Sequence, residues 1–382
     1  MTFREIFQKE LRSSAFLLIV LPIILAIIFC FTYYKNVINY QPTVVFDADN
    51  TTVSRQVINA YDLSNRFDIQ FYVDNLEAFE DKLKQNDAYV GVYIPPHFTR
   101  DIKRGIPTSI GIVVNATNVI FGNGAITASK EINLSALVNG GQKLIQATGQ
   151  PPDEALRTAY PIQFKLRVLN NPTNSYSNFM LLGLIINGMQ LAIYLAATAM
   201  LCREYSNMPL LSSTTSGLNI IAAKFAACWL SATFALCICE ILANLICAVP
   251  FRAPVWQISI LNASFTFLVT AVCFFFSSFL KNPVTAVQTP LLYMMPGLLY
   301  SGLSWPLGWV DPVPAFLSKL MPLHYFAVPL RLLSLRGFSP DFVPSVAQML
   351  SGGIILLIFA GFFFRYNRTQ LLRQPLQGGE EQ

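Results

Sequence analysis

The side chains best placed to do chemistry are polar residues that interrupt long apolar runs of this sequence. A polar group at such a place is costly to bury, so each needs a partner, either on a neighbouring helix or on a passing molecule. Two interpretations remain open, because these residues could join helices to one another or could line a path between them. The candidates for a path are Asn187, Gln190, Tyr194, Glu240, Asn244, Thr266 and Gln288.

Glu240 is the sharpest of these candidates, because a carboxyl group inside an apolar run costs at least a few kcal/mol. Two accounts of this residue are open. It could lie near the end of its run, where Arg252 could pair with it. Alternatively, it could bind an ion, which would make the protein an ion-coupled secondary transporter.

The sequence shows none of the residue patterns that supply catalysis or hold a cofactor. It has two histidines, His97 and His324, and it lacks the G-x-S-x-G, H-E-x-x-H and C-x-x-C patterns. It also lacks the phosphate-binding loop G-x-x-x-x-G-K-S/T, so we expect no ATP hydrolysis by this chain alone. We predict no catalytic residue, no metal site and no cofactor bound by this chain.

The seven cysteines lie in or beside apolar runs. A thiol in such surroundings behaves as a small apolar side chain. We therefore interpret them as apolar filling rather than as a metal site. They are Cys30, Cys202, Cys228, Cys237, Cys239, Cys247 and Cys273.

Six apolar runs are long enough to cross a bilayer as helices, which takes about 20 residues each. Charged residues make up 12% of the chain, against about 25% in soluble proteins. A single run could be a buried core helix, but six together predict an α-helical membrane protein with six transmembrane helices. The runs are Ser14–Tyr34, Phe179–Leu201, Ile220–Val249, Ile258–Leu280, Val284–Leu303 and Val346–Phe364.

The charged side chains are concentrated in one segment. Residues 36–172 contain more than half of the 26 Lys and Arg and 21 Asp and Glu residues, as a soluble domain would. Alternating runs such as Phe67–Val73 predict strands, and repeated β-α-β units favour a largely parallel sheet covered by helices. We predict an α/β extracytoplasmic domain at 36–172, inserted between the first and second spans. It separates 1–35, an interfacial helix and the first span, from 173–382, a domain of five spans with a short cytoplasmic tail.

Local signals predict where several helices of this protein begin. Asn50 or Thr51 is expected to cap one helix of the inserted domain, and Asp74 is expected to cap the next. At the chain start, apolar residues share one helical face and predict an interfacial helix or a simple topology anchor. Those residues are Phe3, Ile6, Phe7 and Leu11.

The basic residues indicate the orientation of the spans, because Lys and Arg accumulate in cytoplasmic loops. With six spans, four basic segments fall on one side of the membrane. We therefore predict a multi-pass protein of the cell inner (plasma) membrane with both termini in the cytoplasm. The basic residues are Arg4, Lys9, Arg12, Arg203, Lys224, Lys281, Arg365, Arg368 and Arg373.

The chain resembles the ABC type-2 permease family of bacterial exporters, and its drug-exporter branch in particular. The layout of one span, a large outer domain and five further spans is similar, and so are four groups of residues. These are Val45-Phe46-Asp47 with Ser54-Arg55 and Val90–Phe98; Arg203-Glu204-Tyr205 with Leu210-Leu211 and Lys224; Ser301–Pro306; and Met321–Phe326 with Arg331. The loop of this chain departs from the family pattern at Asn207-Met208, where Gly-Thr is usual.

The resemblance implies a permease subunit that exports an amphipathic or apolar, drug-like or lipid-like substrate. It implies that ATP and Mg bind to separate cytoplasmic ATPase subunits. It assigns the coupling to that ATPase to the loop residues Arg203, Glu204, Tyr205, Leu210, Leu211 and Lys224.

Further expected partners are a second permease copy or a sister chain, membrane lipid and a periplasmic adaptor, with no nucleic acid. Glu204 is an acid on the basic side of the membrane. It is therefore expected to bond a basic residue of the ATPase or to cap a helix of the loop. An ion-coupled transporter and a membrane sensor with an outer ligand-binding domain remain alternatives.

Overall fold

The computed structural model describes most of the chain and divides it into two compact units. One unit is Val37–Arg167, and the other combines the residues before and after it. Each unit has an apolar core of its own. The described residues are 2–35, 37–160, 167–173, 175–198, 200–205, 216–280 and 282–373.

The unit Val37–Arg167 is built on a four-stranded sheet. Its central strand, β1 (Gln41–Asp47), pairs in parallel with β2 (Phe67–Val73) and with β3 (Val90–Ile94). β4 (Gly111–Val114) runs antiparallel to β3 and completes the order β2-β1-β3-β4. Parallel pairing therefore extends over the three strands β2, β1 and β3. β4 is antiparallel because it begins at the end of the sheet where β3 finishes.

Apolar residues cover both faces of this sheet. On one face Val45 and Ile94 belong to a core that includes residues of three helices. On the other face Val44 packs with Phe79. Neighbouring residues of β1 thus enter opposite cores, as the two-residue period of a strand requires.

Five helices complete the described part of this unit, and two of their caps lie at or beside positions for which the sequence carries a capping signal. Thr51, rather than Asn50, caps the first helix in a capping box. Asn75 caps the second, so the prediction of Asp74 was wrong by one residue. The helices are α3 (Thr52–Asp62), α4 (Leu76–Lys84), α5 (Phe98–Arg104), α6 (Val119–Gln146) and α7 (Pro152–Ala159).

Among its described residues, the other unit contains five helical segments long and apolar enough to cross a membrane. They are Phe3–Tyr33, Ser177–Glu204, Gly217–Cys247, Val255–Phe279 and Phe342–Gln370. The first consists of α1 (Phe3–Ala15), a π-helix (Phe16–Val20) and α2 (Leu21–Tyr33), and the second of a π-helix (Ser177–Leu181), α8 (Leu182–Ala197) and α9 (Met200–Glu204). The others are α10 (Gly217–Cys247), α11 (Val255–Phe279) and α15 (Phe342–Arg373).

The run Val284–Leu303 differs from the single helix predicted for it. It forms α12 (Pro283–Met294) followed by a 3-10 helix (Met295–Ser301). Pro296 has no amide hydrogen for the regular α-helical bond, which favours the change of helix type there. A short 3-10 helix (Leu307–Trp309), α13 (Pro312–Ser318) and α14 (Pro322–Arg336) then lead to α15.

The amphipathic N-terminal helix α1 continues into the first span through helical backbone at every residue. Thr2 and Glu5 form a capping box at its start. Ile6 is buried in the core of this unit, whereas Phe3 and Leu11 of the same predicted face remain exposed. Part of the apolar face is thus used for packing within the chain.

Helices α11 and α15 approach closely where Gly353 meets the ring of Phe267. A Cβ atom at Gly353 would lie 2.7 Å from two ring carbons, closer than such atoms come in proteins. At the neighbouring Gly352 a Cβ would lie 3.6 Å from Leu268, an ordinary contact. Only the first of these glycines is therefore required by the packing.

Candidate functional site

Lys224 is the centre of a buried ionic cluster near the ends of the second and third spans. It lies on α10 with 3% of its side chain exposed, and its Nζ is 2.9 Å from a carboxylate oxygen of Glu204 at the end of α9. The same ammonium pairs with Glu10 of α1. One cation therefore joins three helices, and Glu10, Glu204 and Lys224 are called the ionic cluster below.

Glu10 was missed by the sequence analysis, although the sequence carries a signal for it. Ile6 and Ser14, four residues before and after Glu10, are both buried, so this acid lies within the buried stripe of α1. A charged side chain in the apolar face of an amphipathic helix needs a partner of opposite charge. The sequence could therefore have identified Glu10 as paired, but not with which residue.

The ionic cluster contains two carboxylates and one ammonium. Glu204 Oε2 is buried and has no hydrogen-bond partner among the residues that the structure describes. Charges taken out of water in this way are tolerated only while their partners are in place. Loss of Lys224 would leave two negative charges close together without a counter-charge.

Glu204 therefore has a partner inside the chain. The sequence analysis expected it to bond the ATPase or to cap a helix of the loop, because its acidity had no role in topology. The structure shows an ion pair with Lys224, which connects the two ends of the segment between the second and third spans, and a bond to the ATPase stays a prediction.

Tyr205 is buried next to the ionic cluster and connects the end of the second span to two other helices. Its hydroxyl donates a hydrogen bond to the carbonyl of Ser278, which also accepts one from Asn367 Nδ2 at 3.0 Å. Its ring stacks on Phe364 with 5.6 Å between centroids. Phe364 and Asn367 belong to α15, so a movement of Tyr205 would displace that helix as well.

Ser277 of α11 holds the beginning of α9. Its Oγ accepts hydrogen bonds from the backbone N–H groups of Leu201 at 3.0 Å and Cys202 at 3.1 Å. The first amides of a helix have no acceptor within that helix, so another element has to supply one. The end of the second span is thus bound both to α11 and, through the ionic cluster, to α10.

The other predicted coupling residues are placed differently. Arg203 is exposed. Leu210 and Leu211 lie outside the described residues. Of the six residues assigned to coupling, the structure pairs Glu204 with Lys224, and it binds Tyr205 to α11 and α15.

Glu240 is buried between α10 and α11, where it accepts a hydrogen bond from Asn262 Nδ2 at 2.7 Å. Among the described residues Glu240 forms no ion pair with Arg252, which was one of the two accounts left open, and the amide of Asn262 takes that place. Thr266, one turn further along α11, shares a 2.7 Å hydrogen bond with Thr233 of α10. These contacts join two spans, while Glu240 Oε1 has no partner among the described residues.

Gln190 and Tyr194 are buried on α8. The amide oxygen of Gln190 and the hydroxyl of Tyr194 have no hydrogen-bond partner among the described residues. Asn187 is half-buried. These two buried polar atoms without partners among the described residues belong to side chains one turn apart on the same helix.

Asn244 and Gln288 are exposed and do not join this group. The amide of Asn244 donates to the carbonyl of Val249 at 2.8 Å and closes the end of α10. The predicted path residues therefore divide into buried ones on α8, α10 and α11 and exposed ones elsewhere.

Arg331 of α14 belongs to a sequence segment that resembles the ABC type-2 permeases. Its guanidinium donates to the carbonyls of Phe179 at 2.9 Å and Leu303 at 2.8 Å, and it lies 4.6 Å from the centre of the Phe179 ring. It therefore joins the start of the second span to the chain that follows the 3-10 helix.

The unit Val37–Arg167 has a polar cluster where β1 and β3 end. Asp49 accepts hydrogen bonds from the backbone N–H and the hydroxyl of Thr99 and from the hydroxyl of Thr51. Burial raises the pKa of Asp49, but these hydrogen bonds outweigh it and leave the pKa below its ordinary value. The Asp49 carboxylate accepts from both threonines, so the cluster connects the segment after β1 to the segment after β3. Within the described parts of the chain, no group of three or more His, Cys, Asp or Glu residues could hold a metal ion.

Comparison with known families decides what kind of protein carries these features. The family described as ABC-2 family transporter protein matches residues 12–364, which is nearly the whole chain. The chain belongs to this family. No curated protein matches it.

As a member of the ABC-2 family, the chain is the membrane subunit of a transporter, and family membership implies an ABC ATPase as its partner. The resemblance stated from the residues is thus confirmed. The apolar helices agree with a multi-pass membrane protein. In this ABC-2 family protein the ionic cluster lies beside the segment that joins the second and third spans.

Proposed function

We propose that this chain is the permease subunit of an ATP-driven exporter. It moves an amphipathic or apolar, drug-like or lipid-like substrate out of the cytoplasm or the inner leaflet. ATP and Mg are bound by separate cytoplasmic ATPase subunits. The observation that carries the proposal is the ionic cluster, which ties three helices together beside the loop that the ATPase would push.

Through the ionic cluster, a force on the loop would move several helices at once. The Glu204–Lys224 ion pair joins the two ends of the segment that includes residues 206–215, so a force on that segment acts on α9 and α10 together. Glu10 extends the connection to α1. Tyr205 extends it to α15. ATP binding on the partner would thereby move four spans in a coordinated way.

The proposed topology has six spans, both termini in the cytoplasm of the inner membrane and Val37–Arg167 outside. It is supported by the combined length of α12 and the following 3-10 helix, roughly 32 Å if they are collinear. That length matches a hydrocarbon core of about 30 Å. This pair of helices would then serve as the fifth of six spans.

The substrate path is proposed to run along α8. Gln190 and Tyr194 offer polar atoms that have no hydrogen-bond partner among the described residues, in otherwise apolar surroundings. Such a lining suits a molecule that is mostly apolar with a few polar groups. A sugar or a metal ion would need more polar partners than these.

A second permease copy, or a sister chain, is proposed to cover α12. Thr285 and Gln288 are exposed on this helix within a segment proposed to lie in lipid. Polar side chains of spans commonly face other helices rather than lipid. A periplasmic adaptor is a further proposed partner of the outer unit.

An ion-coupled secondary transporter is the second candidate function. Glu240 favours it, because a buried carboxyl group with one oxygen unpaired among the described residues could exchange a proton or a cation during transport. Its hydrogen bond to Asn262 is equally explained by helix packing, so the exporter accounts for more of the structure.

The test of the proposed function is capture of the full chain in mild detergent, followed by measurement of ATP turnover. We expect an ABC ATPase to be captured, and we expect no turnover by the chain alone. In the assembled complex, Glu204→Ala should lower substrate-stimulated turnover per complex, whereas Glu80→Ala, at an exposed ion pair, should not. Transport that runs on an ion gradient without an ATPase would contradict the proposal.

A further inference from the structure

Two cysteines far apart in the sequence meet at the ends of two spans. Cys30 lies one turn before the end of α2, and Cys247 is the last residue of α10. The thiol of Cys247 donates to the backbone carbonyl of Cys30 at 3.2 Å, and the two thiols also interact with each other. Both side chains are buried, so the contact is part of the packing between α2 and α10.

The position of Cys247 is held by the chain that follows it. Ala248 adopts a left-handed backbone with φ of 53°, which is unfavourable for a residue with a Cβ atom. The amide of Asn244 donates to the carbonyl of Val249 at 2.8 Å and supports this sharp reversal. The reversal ends α10 at Cys247 and keeps its thiol against Cys30.

Both cysteines lie at the same side of the membrane. Their spans, α2 and α10, are separated by one further span, so they cross the bilayer in the same direction. In the proposed topology, on which this inference rests, both ends face the extracytoplasmic side. Disulfides persist in that compartment, whereas the cytoplasm keeps thiols reduced.

We propose that Cys30 and Cys247 form a disulfide bond that ties the first span to the third at the outer face of the membrane. The bond forms by thiol–disulfide exchange with a disulfide oxidant of the extracytoplasmic compartment. The two thiols lose their protons and two electrons as the S–S bond forms, and the oxidant is reduced to two thiols. The exchange takes place during insertion, while both sulfur atoms are still accessible.

The chain contains a matched pair of cysteines for comparison. Cys228 of α10 and Cys273 of α11 are also buried neighbours. Cys247 lies about 28 Å further along α10 than Cys228, at about 1.5 Å per residue. The Cys228–Cys273 pair is therefore nearer the cytoplasmic side and should stay reduced. Thus the compartment, and not proximity alone, separates the two pairs.

Counting reactive thiols in the full chain tests the proposal. Membranes are quenched in acid and denatured, and the thiols are labelled with a maleimide polymer that shifts the protein on a gel. Of the seven cysteines, five should react without reductant and seven after reduction. Cys247→Ser should show six thiols under both conditions. Cys228→Ser should still gain two thiols on reduction.

Several outcomes would overturn the disulfide. Seven thiols without reductant would do so, and so would a gain on reduction in Cys247→Ser, because the bond would then lie elsewhere. A cysteine probe at Asn118, labelled from outside intact cells, tests the topology separately. Seven thiols together with external labelling of Asn118 would reject the disulfide and leave the proposed topology standing.

Discussion

Replacing Lys224 by Met tests whether the ionic cluster holds three helices together. Met keeps most of the length of the side chain and removes its charge. Glu10 and Glu204 would then be left without the cation that both contact. Removing one partner from a buried ion pair costs about 3–5 kcal/mol. Glu10 retains 14% exposure of its side chain, so the lower end of that range is expected.

The measurement is the free energy of unfolding of the full chain in mixed micelles, followed by intrinsic fluorescence. The matched control is Lys84→Met, because Lys84 and Glu80 form an exposed ion pair at the same 2.9 Å distance. Exposed pairs contribute little to stability, so this control should unfold like the wild type. The two variants remove the same charge from a buried and from an exposed site.

A triple variant separates a lost attraction from a stranded charge. Lys224→Met combined with Glu10→Gln and Glu204→Gln removes all three charges, and it should recover most of the lost stability. The reasoning is refuted if Lys224→Met costs less than about 1 kcal/mol. It is equally refuted if the triple variant is no more stable than Lys224→Met alone.

Three further predictions concern other parts of the chain. Gly353→Ala should lower the free energy of unfolding by about 1–3 kcal/mol, because the new Cβ meets the Phe267 ring, whereas Gly352→Ala should raise it by up to about 1 kcal/mol. Unfolding in mixed micelles measures both variants, and equal effects would contradict the close approach of the two helices. Glu240→Gln should unfold like the wild type, whereas Glu240→Leu should lower the free energy of unfolding by about 1–3 kcal/mol, because only Gln keeps an acceptor for the Asn262 amide. A Leu variant as stable as the wild type would argue against that hydrogen bond. The pKa of Asp49 is lowered in the folded chain, so its carboxylate should stabilise the loop fully when the pH lies above the ordinary aspartate pKa. This stabilisation should be lost as the pH falls through the lowered pKa of the folded chain. The protection factors of the α5 amides, which compare the exchange rate in the full chain with the intrinsic rate at the same pH, should therefore fall in acid, and Asp49→Asn should abolish this dependence on pH.

Hydropathy predicted where the apolar runs lie, but it did not predict the type of helix that the run Val284–Leu303 forms. Hydropathy identifies an apolar segment of sufficient length, but it does not distinguish one continuous helix from two helices of different type. The structure divides that run into an α-helix and a 3-10 helix. Prolines at positions 290 and 296 were visible in the sequence, but their effect depends on which neighbouring groups can replace the missing hydrogen bonds.

The candidate site was predictable in part, because family resemblance marked Glu204, Tyr205 and Lys224 without indicating their partners. Lys224 lies seven residues into α10, and Glu10 lies on a helix more than 200 positions earlier in the chain. Only a folded chain brings such residues within contact, so the role of Glu10 could not be assigned from its position. The pair of Glu240 with Arg252, one of two accounts left open by the sequence, is not formed among the described residues, and the carboxyl group bonds Asn262 of α11 instead.

The sequence by itself determined the apolar runs long enough to cross a membrane, the charged segment after the first of them, and the short motifs of the ABC-2 family. Length, hydropathy and the order of short motifs are properties of the linear chain, so they can be read without coordinates. The tertiary structure decided which polar side chains meet: Lys224 with two acids, Glu240 with an amide, and Cys30 with Cys247. Those pairings depend on how helices distant in sequence pack against one another, and a buried charge or hydrogen-bonding group is stable only beside the partner that this packing provides.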